Sequence, residues 1–222
     1  MALIQRKARP LTRETSDFRD DRLFIIACDD TFAPQQYFDS FKLTRVQIRV
    51  IPTTDGTSHA RQVLRRLMEF EHDADDELWM LLDTDHCIKN NHTRPFLDAI
   101  RDAKKKGVNV AVSRSCFEVW LLLHHVDETK VAPLKNAAET EKALREALGQ
   151  YNKTSLKKRD YPLESVVEAC QRAERLDALG GTGSIPNCNT SRVYLLWRAI
   201  VAKALPSQLP EALRPLLDVV KK

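Results

Sequence analysis

The sequence has no apolar run approaching the about 20 residues that a membrane-crossing helix needs, so no bilayer span is expected. It also lacks any close cysteine pair. Cys28, Cys87, Cys116, Cys170 and Cys188 are odd in number and dispersed, which argues against a zinc site or a disulfide framework. With no secretory apolar segment either, reduced thiols in the cytoplasm are the expectation. A strong charge surplus is missing too: Lys plus Arg total 35 against 31 for Asp plus Glu, a formal net charge of +4. A nucleic-acid partner must then be argued from a local basic patch, because the global balance only permits one. Glycine is scarce, with 6 in the chain, and "GGTGS" lacks the lysine and the spacing of a P-loop, so it reads as a flexible breaker. Internal repeats and low-complexity tracts are absent.

What is present fits a folded protein. At 222 residues, 43% hydrophobic and 30% charged, the chain can bury a substantial core. Residues 1–22 are polar and charged, with Arg6, Lys7, Arg9 and Arg13, and read as a flexible arm. "LFIIACDD" predicts a buried strand ending in Asp29 and Asp30, and "APQQYFDSFK" a short helix with Pro34 near its start. In "RVQIRVIP", Val46, Ile48 and Val50 alternate with polar residues, as an edge strand would, and Pro52 stops it. Ala60, Val63, Leu64, Leu67 and Met68 recur at helical spacing and predict a crossover helix.

"ELWMLLDTDH" runs five apolar residues into Asp83 and Asp85, and so predicts a strand buried on both faces. A helix closed by Lys104, Lys105, Lys106 and Gly107 comes next, then the strand "VNVAVS" and the apolar segment "SCFEVWLLLHH". Alternation of strand and helix over 23–130 predicts an α/β fold with a largely parallel sheet. Residues 131–222 change to Ala-, Glu-, Leu- and Arg-rich helices, a C-terminal helical extension packing on that core.

Open α/β sheets place their sites at strand C-termini. Residues two apart in an extended segment face the same side, so Asp83 and Asp85 can both address one cation. The same pattern also suits a polar turn in which either aspartate caps the next helix. Glu118 is the one acid in an apolar segment, and burying it requires a partner, a proton or a metal. A salt bridge to Arg114 or to a residue from elsewhere, or simple exposure on a helix face, answers the same need. Asp29, Asp83, Asp85 and Glu118 come from three segments near strand ends and suit Mg²⁺ and phosphodiester chemistry, unless they are unrelated loop acids. His124 and His125 suit phosphate orientation, proton relay or helix capping; His59 and His86 are equally open. Lys153, Lys157, Lys158 and Arg159, beside Tyr151 and Tyr161, have the mix that tracks a nucleic-acid backbone, or form a solvated surface.

Several motifs resemble the RloB-like proteins of prokaryotic defence and restriction loci. They are Tyr37-Phe38 after the strand ending in Cys28, "LWMLLDTDH", "VAVSRSCFEVWLLLHH" and "IPNCNTSRVYLLW". The resemblance implies a Toprim-like fold in which a glutamate after the first strand and a DxD pair hold Mg²⁺ (or Mn²⁺) for nucleic-acid cleavage. Asp83 and Asp85 match the DxD pair, and Cys116, Phe117 and Glu118 match the Cys-Phe-Glu segment. By that implication Asp29, Asp83 and Asp85 are metal ligands and, with Glu118, catalytic; an AAA-type ATPase is an implied partner and an oligomer is compatible. The first motif departs from the pattern: "CDDTFAP" stands where Cys-Glu-Gly and a Thr-Glu pair are usual, so Asp29 replaces the glutamate and Pro34 the second glutamate. A non-catalytic nucleic-acid- or nucleotide-binding regulatory subunit with a degenerate site is the alternative reading.

Overall fold

The computed structural model describes residues 21–54, 56–89 and 92–220; the arm with Arg6, Lys7, Arg9 and Arg13 lies outside them. Strand β1 (Arg22–Cys28) is followed by α1 (Ala33–Asp39), β2 (Val46–Ile51), α2 (Ala60–Glu69) and β3 (Glu77–Asp83). The short α3 (Asp85–Lys89), α4 (Thr93–Lys105), β4 (Asn109–Arg114) and α5 (Glu118–Leu123) complete the alternating part. Helices α6 (Glu128–Val131), α7 (Ala137–Leu148) and α8 (Glu164–Leu179), strand β5 (Thr190–Ser191), and helices α9 (Val193–Lys203) and α10 (Arg214–Val220) follow.

The sheet runs β2-β1-β3-β4-β5, parallel except for β5, which pairs antiparallel with β4. This is the expected α/β fold with a largely parallel sheet flanked by helices. From β1 the chain moves outward to β2, then crosses to β3 on the other side of β1. That reversal makes the C-terminal ends of β1 and β3 a topological switch point, the crevice where open α/β sheets bind ligands.

Both faces of the sheet are covered, as the continuous apolar runs require. Ile25, Ala27, Leu78, Met80 and Leu82 face α2 and α4, where Val63, Leu67, Phe96 and Ile100 meet them. Phe24, Ile26, Cys28, Trp79 and Leu81 share the opposite cluster with Trp120, Ala169 and Trp197, so the C-terminal helices pack on that face. The glycine-rich segment contributes β5, and Arg192 pins it: Nη1 donates to the Gly183 and Ser184 carbonyls while the guanidinium pairs with Asp177. Among the described residues no helix is long and apolar enough to cross a membrane, and the five cysteines are free thiols.

A buried polar chain threads the larger cluster. Ser165 Oγ donates to the Pro162 carbonyl, so it accepts from His124 Nδ1 at 2.7 Å. His124 Nε2 is then the acceptor for the Tyr37 hydroxyl at 3.1 Å, and Tyr37 in turn accepts from Trp197 Nε1 at 3.1 Å. Burial holds the His124 pKa well below the usual imidazole value, consistent with a neutral ring in this tautomer. His124 thus ties α1, α5 and α8 together.

Candidate active site

The switch point gathers acids from two strand ends. Asp29 follows β1 directly and Asp83 ends β3. Asp29 Oδ2 accepts the Asp83 backbone N–H at 2.8 Å, and Asp83 Oδ2 accepts the Phe117 backbone N–H at 3.0 Å. Burial raises both carboxyls above the ordinary range. Asp29 goes to about 8, with the negative charges of Asp30 and Asp85 adding to the burial. Asp83 is pushed well up by burial, then by Asp29 and Glu118. Burial and the neighbouring acids thus make both carboxyls costly to ionise, a cost that a proton or a cation relieves.

Asp85 opens α3 in the same neighbourhood. Its Oδ1 accepts the His86 backbone N–H at 2.7 Å and lies 3.7 Å from His86 Nε2. The backbone N–H groups of Thr84 and Asp85 both donate to the Ser115 carbonyl at 3.0 Å, which fixes the DTD turn against the end of β4.

Glu118 is fully buried at the start of α5. Its Oε1 accepts from the Tyr151 hydroxyl at 2.9 Å and pairs with Lys153 Nζ at 3.2 Å, while Oε2 is buried without a hydrogen-bond partner. The partner of Glu118 thus comes from the loop after α7, and Arg114 instead donates to the Pro186 carbonyl at 2.7 Å. Asp30, which the motif comparison marked only as a departure, completes the cluster. Its Oδ1 accepts the Phe32 and Ala33 backbone N–H groups at 2.6 and 3.0 Å, capping α1, and its Oδ2 meets Lys153 Nζ at 2.5 Å. Burial works against the Lys153 charge, yet Glu118 and Asp30 more than offset it and raise its pKa. Gln36 locks the loop from α1, its Nε2 donating to the Lys153 carbonyl at 3.1 Å and its Oε1 accepting from Leu156 N at 2.9 Å.

Of the four basic residues in that loop, Lys153 therefore turns inward onto acids. Lys158 and Arg159 are exposed and Lys157 is half-buried. Nothing in the local sequence pattern separates Lys153 from its neighbours; its role depends on contacts more than 30 residues away.

Beside the acid pair opens a cavity of about 660 Å³. Asp29 and Asp83 form part of its wall, with His59, His86 and His92 around it. Among the described residues no group of three or more His, Cys, Asp or Glu side chains closes on one point. The acids that the structure brings to the switch point are Asp29 and Asp83, with Asp85 near enough for its charge to act on Asp29.

A search of curated proteins and one of solved structures each found no match. The family model described as RloB-like protein matches residues 24–200, from β1 through most of α9. That match takes in the DTD turn, the Cys-Phe-Glu segment and the Lys153 loop together, and the chain belongs to the RloB-like family.

Proposed function

We propose that this chain is a Mg²⁺-dependent, Toprim-type nuclease of a prokaryotic antiphage system, cleaving DNA or RNA alongside an AAA-type ATPase. The observation that carries the reading is the placement of Asp29 and Asp83 at the switch point, where Asp29 Oδ2 accepts the Asp83 backbone N–H at 2.8 Å and burial raises the pKa of both carboxyls. The donor set fits Mg²⁺, which takes one or two carboxylates and fills its remaining positions with water and phosphate oxygens. It does not suit an ion caged wholly by side chains.

Mg²⁺ held there supplies Lewis-acid stabilisation of the phosphodiester oxygens. Asp29 and Asp83 are its holders, and Asp85 adds negative charge beside them. Alternatively Asp29 does not hold the ion and acts as general base, a role that the raised pKa of its metal-free carboxyl supports. Phe117 N–H orients Asp83, and Lys153 keeps Glu118 and Asp30 neutralised behind the pair.

One observation favours the second reading, a regulatory subunit with a degenerate site. Lys153 already occupies two of the acids at the sheet edge, which leaves fewer for metal. Incubation with single-stranded DNA, duplex plasmid and tRNA, with Mg²⁺ or EDTA, separates the two. The nuclease reading expects cleavage only with Mg²⁺ and its loss in Asp83→Asn. Binding without cleavage, with the ATPase partner present, supports the regulatory reading.

A further inference from the structure

Asp30 and Glu118 are buried, with side chains 5% and 1% exposed, whereas Lys153, which reaches both, is 38% exposed. Its ammonium is the cation that these acids hold, 2.5 Å from Asp30 Oδ2 and 3.2 Å from Glu118 Oε1. One positive charge does not balance the place. Glu118 Oε2 belongs to the carboxylate that meets Lys153, so it lies at the same point, yet it is buried without a hydrogen-bond partner among the described residues. An orphaned oxygen on a buried carboxylate is costly unless something positive reaches it. The charges of Glu118 and Asp30 also extend to Asp83, where they add to the effect of burial.

Asp30 commits Oδ1 to the Phe32 and Ala33 N–H groups at the start of α1 and leaves Oδ2 to the cation. Asp30 Oδ2 and the two oxygens of Glu118 are a donor set that Mg²⁺ or Mn²⁺ accepts, with water and phosphate oxygens in the remaining positions. A divalent ion is attracted to them more strongly than one ammonium is.

The segment that carries Lys153 is built to move. It leaves α7 through Gly149, whose φ of 73° is the left-handed cap of that helix, and none of residues 149–157 is fully buried. Tyr151 and Leu156 rest half-buried on the core. Otherwise polar contacts fasten the segment: Lys153 to the two acids, the Tyr151 hydroxyl to Glu118, and the Lys153 carbonyl and Leu156 N–H to Gln36. Segments with few buried apolar contacts are the ones that open at low cost.

We propose that residues 149–157 are an autoinhibitory strap, in which Lys153 stands in for a second divalent cation at Asp30 and Glu118, and that lifting the strap admits that ion beside Asp29 and Asp83. The proposal deepens the nuclease reading, and rests on it only for what the second ion does to a phosphodiester.

The test is titration of Mn²⁺ into the full chain, followed by calorimetry and the electron paramagnetic resonance of free ion, for wild type, Lys153→Met and Lys153→Met/Asp30→Asn. Asparagine keeps the oxygen that caps α1. Lys153→Met should take up a second ion about tenfold or more tightly than wild type, because strap opening no longer limits access. The double variant should lose that gain and keep the first ion. Hydrogen exchange on wild type needs no variant to fold, and residues 150–157 should exchange faster as Mn²⁺ rises. Equal second-ion affinity in wild type and Lys153→Met, a gain that survives Asp30→Asn, or strap exchange that Mn²⁺ leaves unchanged or slows, overturns the proposal. A gained ion without Mg²⁺-dependent cleavage of any nucleic acid upholds the strap and removes the nuclease reading. Cleavage by wild type with no gain of ion in Lys153→Met does the reverse.

Discussion

Lys153 Nζ lies 2.5 Å from Asp30 Oδ2 and bridges it to Glu118 Oε1 at 3.2 Å, so one lysine neutralises two buried acids from different parts of the chain. Asp30 caps α1 and Glu118 opens α5, and the loop that carries Lys153 is thereby fastened across the sheet edge.

Replacing Lys153 by Met should therefore act on stability before it acts on ligand binding. Breaking a fully buried pair costs about 3–5 kcal/mol; with Lys153 38% exposed, about 2 kcal/mol is the discounted expectation. In a chain of this size that lowers Tm by about 4–8 °C. Lys153→Arg should recover part of the loss. Thermal melts that leave Lys153→Met unchanged would assign the lysine to the surface.

The acid pair makes stability depend on pH. Asp29 holds its proton up to about 8 in the fold, whereas an unfolded aspartate loses it near 3.9, and Asp83 is shifted in the same direction. Between those values the folded chain binds more protons than the unfolded chain, so stability falls as pH rises through about 4 to 8. Asp29→Asn and Asp83→Asn should each flatten that slope and raise Tm at pH 8 in the absence of metal. Melts from pH 5 to 8 in EDTA check this; a rising stability would reverse the assignment.

Asp83→Asn keeps the acceptor oxygen for Phe117 N–H while removing the charge. It should fold normally, weaken divalent-cation affinity by about 10- to 100-fold, and reduce any cleavage at least as much. Unchanged cleavage would reduce the DTD turn to a structural cap.

With Lys153 committed internally, the residues of that loop left to meet a nucleic-acid backbone are Lys157, Lys158 and Arg159. If these three meet phosphates, their combined replacement by Ala should flatten the salt dependence of binding by about 0.7 to 0.9 in log–log slope per contact. Identical slopes for the variant would make the loop plain surface and turn attention to Arg6, Lys7, Arg9 and Arg13.

The sheet was legible because its signals are local. Leu78 to Leu82 read as doubly buried, and Val46, Ile48 and Val50 read as an edge, from side-chain period alone. Strand β5 escaped because two residues in a glycine-rich segment carry no period, and pairing to β4 alone makes them a strand. The link between Asp29 and Asp83 was readable from strand ends, but Asp30 and Lys153 were not. Asp30 looked like a departure from a motif, and Lys153 like one member of a basic run, until a separation of more than 100 residues closed between them.

Manganese binding tests the account most directly, because it needs neither substrate nor partner. Titrating Mn²⁺ into the full chain at pH 8, with calorimetry and the electron paramagnetic resonance of free ion as readouts, should show binding with proton release as Asp29 and Asp83 ionise. That binding should weaken by about tenfold or more in Asp29→Asn and in Asp83→Asn. Manganese that binds with equal affinity to wild type and both variants, or that does not bind at all, would contradict a cation site at this pair.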